Sequence, residues 1–121
     1  MTTDSSDSTT FRIGSKNATV TDNPRALEYR LLGQVTAALM EANRNFADKP
    51  KLIDSLLWNK NVWDHFMLDL QDEGNRLPKE TKSALIGIGI WVNRETSRVM
   101  EGATDCAGLI EINQIIMEGL K

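Results

Sequence analysis

Past residue 22, the apolar positions of this 121-residue chain recur at steps of three and four, the period of an amphipathic helix. Asn23 followed by Pro24 is a start signal, with Asn as N-cap and Pro at the first helical position. Leu27, Leu31, Val35, Ala38, Leu39, Ala42 and Phe46 then form one stripe, which stops near Phe46 or Ala47 before Pro50 opens a second helix. The second stripe holds Leu52, Ile53, Leu56, Leu57, Trp63, Phe66, Met67 and Leu70. It runs to Glu73-Gly74-Asn75, where Gly74 is expected to close the helix in a left-handed conformation. A third helix, from about Pro78 to Met100, is apolar over a wider arc: Leu85, Ile86, Ile88, Ile90, Trp91, Val92, Val99 and Met100. An arc that wide predicts a central helix packed on more than one side. Gly102 ends it, and Asp105 is placed to cap a last helix carrying Leu109, Ile110, Ile112, Ile115, Ile116 and Leu120. The expected fold is all-α, a compact bundle of about four helices joined by short connections.

The first 22 residues read differently. Nearly half are Ser or Thr, and apart from the initiator only Phe11, Ile13 and Val20 are large and apolar, too little to offset the entropy of ordering. Residues 1–22 are therefore expected to be a disordered tail and residues 23–121 one helical domain. Phe11-Arg12-Ile13 is the one stretch of the tail suited to docking in extended form. The segment lacks the basic and apolar regions of a secretory signal, so the default expectation is a cytoplasmic protein.

Composition narrows the chemistry further. Formal net charge is -3, and Lys49, Lys51, Lys60, Lys79 and Lys82 are dispersed, which gives no nucleic-acid surface. The apolar run Ala84 to Val92 is far shorter than the ~20 residues of a membrane span. One Cys and one His build neither a disulfide framework nor a structural zinc site, and no cofactor motif is present. Gly87-Ile88-Gly89 lacks the third glycine and the preceding strand of a phosphate loop, so these small residues are read as room for a neighbouring helix.

No catalytic constellation emerges from the remaining polar residues. His65 points away from its helix's apolar stripe and reads as a surface residue. Cys106 lies in the first turn of the last helix, where the dipole favours a thiolate, but a small buried hydrophobe is the preferred reading. Asp64, Asp69, Asp72 and Glu73 form an acidic helix end, read as a solvated face before a docking patch. Among the tryptophans, Trp63 and Trp91 take core-like positions, whereas Trp58 flanks its stripe and is the better exposed anchor.

Several motifs, taken in order, carry a resemblance: Glu28-Tyr-Arg-Leu-Leu-Gly-Gln-Val-Thr to Leu39; Trp58-Asn59 and Trp63 leading to Asp72-Glu73-Gly74-Asn75 and Leu77-Pro78; Ile88-Gly-Ile-Trp91-Val92 with Arg94-Glu95; Gly108-Leu-Ile-Glu-Ile-Asn113; and Ile116-Met-Glu-Gly-Leu120. Together they resemble the alphaproteobacterial flagellar biosynthesis regulator FlaF, from about Asn23 to Leu120. The resemblance implies a small, all-helical, non-enzymatic cytoplasmic protein for flagellum assembly that binds flagellin and promotes its production or secretion. The alternative it leaves open is a post-transcriptional regulator acting through FlbT or flagellin mRNA. Flagellin's long terminal helices suit a groove between helices, with Trp58, Trp91, Arg94, Ile112 and Ile116 as expected partner-binding residues. The Ser/Thr-rich tail before Thr21 departs from what is expected of that family.

Overall fold

The structure, a computed structural model, describes residues 24–120. The expectations for residues 1–22 and for Asn23 as a cap lie outside them. Four helices follow in chain order: α1 (Pro24–Arg44), α2 (Lys49–Gln71), α3 (Lys79–Met100) and α4 (Ala107–Leu120). No strand occurs among the described residues.

Local chemistry sets the ends. Pro24 is the first helical residue of α1. Asp48 caps α2 by accepting from the Lys51 backbone N–H, with Pro50 in the first turn. Gly74 does not close α2 in a left-handed conformation. The chain instead leaves the helix at Asp72, which is extended, and Gly102 is the glycine with positive φ (121°) among the described residues. At α4 two side chains share the capping. Asp105 Oδ1 accepts from Ala107 N at 2.9 Å, and Asn43 on α1 accepts from Cys106 N at 2.9 Å, which ties the start of α4 to the end of α1.

Successive helices run antiparallel. Ser55 Oγ donates to the Ala38 carbonyl between α2 and α1, Gly89 of α3 faces Met67 of α2, and Met117 of α4 lies against Gly33 of α1. A Cβ at Gly89 would fall inside the Met67 thioether, so this glycine is where α3 comes close to α2. The core gathers Leu39 and Ala42 of α1, Leu52, Leu56 and Trp63 of α2, Val92 and Val99 of α3, and Cys106 and Leu109 at the start of α4.

Across the bundle diagonal, α2 and α4 are joined by a chain of buried amides. Trp63 Nε1 donates to Asn113 Oδ1 at 2.9 Å, and Asn113 Nδ2 donates to Asn59 Oδ1 at 2.8 Å. Both asparagines are fully buried. Each bond in such a place holds register, because a slip would strand a buried polar group.

The packing is uneven. α1 is in close contact with both α2 and α4, and α2 with α3, but α3 and α4 approach each other least and α3 does not reach α1. The expectation that α3 is central therefore fails. Its wide apolar arc is left partly uncovered, with Ile90, Trp91 and Met100 all exposed.

Candidate functional site

The gap between α3 and α4 is an apolar groove of about 280 Å³, walled by Ile88 and Trp91 on one side and Gly108, Glu111, Ile112 and Ile115 on the other. Its floor exists because Gly108 lets the Trp91 ring lie close to the α4 backbone. A Cβ there would stand 3.3 Å from the ring edge. Trp91 is 40% exposed and Ile115 58% exposed, far more than large apolar side chains of a filled core. Beside the groove, Glu95 is held by Arg98 through bonds of 2.6 and 2.9 Å, and that bonding keeps its carboxyl below the ordinary range.

Toward one end of the bundle the groove meets a wider cavity of about 550 Å³. Its walls include Trp63, Phe66, Leu70, Leu77, Leu85, Ile115 and Ile116, with Glu28, Asp69 and Arg76 among the polar groups. Ile115 belongs to both spaces, so together they make one apolar track along α3 and α4. Two spaces of this size, apolar with few charges, suit side chains of a partner helix better than a charged small ligand.

The expected partner-binding residues divide. Trp91 and Ile112 wall the groove, and Ile116 lines the end cavity. Trp91 is thus removed from the core, where its spacing had placed it: its ring edge rests on α4 at Gly108 and the rest of the side chain stays exposed. Trp58 is exposed on α2 as expected, but it belongs to neither space. Arg94 is exposed, one turn from Trp91 on α3, and walls neither space. Ile88, Gly108, Glu111 and Ile115 complete the groove and were not singled out by sequence. The signal available for them was the excess width of α3's apolar arc together with an apolar α4.

The remaining chemistry is quiet. Cys106 is fully buried and its thiol donates toward the Leu39 carbonyl at 3.7 Å. Burial, aided by the Asp105 charge, pushes its pKa up to about 11, so the helix dipole does not activate it. His65 is exposed. The acidic end of α2 is engaged locally: Asp64 pairs with Lys60 at 2.9 Å, and Asp69 accepts from Asn75 at 3.2 Å. Among the described residues no three His, Cys, Asp or Glu side chains gather in a metal-binding group, and no helix is long and apolar enough to cross a membrane.

The sequence model of one family, described as flagellar protein FlaF, matches residues 15–120, which is most of the chain and all four helices. The chain belongs to the FlaF family. A role in flagellum biosynthesis follows from that membership. No curated protein and no solved structure matches the chain. The FlaF match begins at residue 15, so residues 15–20, expected to depart from the family, belong to the shared region, while Phe11-Arg12-Ile13 lies outside it.

Proposed function

We propose that this FlaF protein acts in the cytoplasm by binding, without catalysis, and that the α3–α4 track receives one amphipathic helix of flagellin ahead of its assembly. The observation that carries this reading is the apolar groove between Ile88 and Trp91 on α3 and Ile112 and Ile115 on α4, in which Trp91 and Ile115 stay exposed while Ile88 and Ile112 pack against the core. Leaving such side chains in water forgoes roughly 25 cal/mol for every Å² that a partner would cover. A helix whose apolar residues recur at three and four positions presents the shape that covers them. Holding that helix would keep flagellin's terminal segments from pairing prematurely, and so promote its production and secretion.

Calorimetric titration with flagellin, run in parallel with FlbT, tests the proposal. Binding to flagellin at one to one, weakly dependent on salt, is the expected outcome. Heat from FlbT alone would replace this reading with that of a regulator acting through FlbT. Affinity for flagellin mRNA that falls steeply with salt would point to a nucleic-acid partner.

A further inference from the structure

One charge stands in the apolar groove without a counter-charge. Gly108, Glu111, Ile112 and Ile115 recur at steps of three and four along α4, so the exposed Glu111 carboxylate is carried on the face that walls the groove. We propose that Glu111 selects the occupant of the groove, an amphipathic helix with a Lys or Arg beside its apolar stripe, whose cation pairs with Glu111 and lies over the exposed Trp91 ring; the selection rests on the groove reading above.

Three observations support the assignment. Nothing among the described residues neutralises Glu111: its side chain takes part in none of their ion pairs or hydrogen bonds, and α4 carries no basic residue from Ala107 to Leu120. The neighbouring carboxylate is in the opposite condition. Glu95 lies beside Gly108, and Arg98 donates to both its oxygens, at 2.9 Å to Oε1 and 2.6 Å to Oε2, so its charge is already matched. Arg98 is consumed by that pair, and Arg94 walls neither space. Finally, Trp91 is 40% exposed and shares the groove with Glu111, and an indole face attracts a cation. A partner that covers the groove also strips water from the Glu111 carboxylate, which is unfavourable unless the partner returns a positive charge. A helix with an acidic flank is thereby rejected, so the apolar walls supply affinity and the carboxylate supplies discrimination.

The test titrates the full-length protein with two synthetic amphipathic helices that share one stripe of Leu at three- and four-residue steps and differ at a single position beside it, Arg in one and Glu in the other. Calorimetry at low salt should show the Arg helix bound about fivefold more tightly, a ratio that contracts in 1 M salt, where charges are screened beyond ~3 Å. Glu111→Gln should abolish the preference and Glu111→Lys should invert it. Glu73→Gln, which removes an exposed carboxylate that lines neither space, should leave it unchanged. Equal affinity of the natural protein for the two helices, or a preference that survives Glu111→Gln, would overturn the assignment. Failure of both helices to bind would instead overturn the groove reading, together with the selection that rests on it. Because the Glu111 side chain is exposed and unpaired, both of its variants should keep the urea midpoint of the natural protein.

Discussion

The two sides of α4 contrast. Against α1 it is fastened by packing and polar bonds at both ends: Asn43 caps its start, and the Thr36 hydroxyl donates to Met117 Sδ near its finish. Against α3 it is packed least: the Trp91 ring edge meets it at Gly108, and a groove opens between Ile88 and Trp91 on one helix and Ile112 and Ile115 on the other. The same apolar chemistry thus closes one side and leaves the other available, and what differs is the polar fastening. The hydrogen-bond chain from Trp63 through Asn113 to Asn59 also anchors α4 to α2. On the proposed function, stability and binding fall to different faces of one short helix.

Substitutions on each side sharpen this contrast. The largest effect is expected from Asn113→Ala, which leaves the buried Trp63 indole N–H and the Asn59 amide without a partner. It should lower unfolding free energy by about 3 kcal/mol, read by urea denaturation. Next come two glycines of α3 with opposite outcomes. Gly89→Ala puts a methyl where the flexible Met67 thioether lies, so Met67 must swing aside and the change should be destabilising by about 1 kcal/mol or less, whereas Gly87, with nothing within 4 Å of its added Cβ, should gain about 0.5 kcal/mol as alanine. Equal effects at the two would break the account of α3 as packed on one face only. Trp91→Ala should change unfolding free energy by less than about 1 kcal/mol while costing about 2 kcal/mol of flagellin binding.

The smallest effect concerns pH. The Cys106 thiol titrates near 9.0 when unperturbed and near 11 in the fold, so the folded state resists the thiolate. Its contribution is therefore complete below about pH 9 and is lost as pH rises toward 11. Thermal melts between these values should show a shallower pH slope for Cys106→Ala than for the natural sequence. Rapid alkylation of the native thiol at neutral pH would contradict its burial.

How much of this was legible in the sequence depends on what each residue's spacing could encode. The four helices were, because apolar positions such as Leu27, Leu31, Val35 and Leu39 in α1 or Leu52, Leu56 and Trp63 in α2 recur with the helical period and Pro24, Pro50 and Gly102 punctuate it. The buried Trp63 and the close approach at glycine in α3 were also legible, although only Gly89 makes that approach. Asn59 and Asn113 were not. They sit on the apolar stripes at core spacing, but a polar residue there gains meaning only when its partner arrives from another helix. Gly74 failed for a local reason: Asp72 had already left the helix in an extended conformation. The groove was half legible. An apolar arc as wide as α3's marks a helix with more than one apolar neighbour, and periodicity cannot say whether that neighbour is in the same chain. Trp91 meets α4 only at Gly108 and otherwise stays exposed, so the residue moved from expected core to groove wall.

The central claim is that the α3–α4 track binds flagellin's helix while the rest of the bundle holds the fold. Ile115→Lys tests it most directly, since Ile115 lines both spaces and is exposed, and a lysine near the end of α4 agrees with the helix dipole. Calorimetry with flagellin and urea denaturation on the same protein should show binding lost and the unfolding midpoint unchanged. Undiminished flagellin binding by a fully folded Ile115→Lys protein would contradict the account.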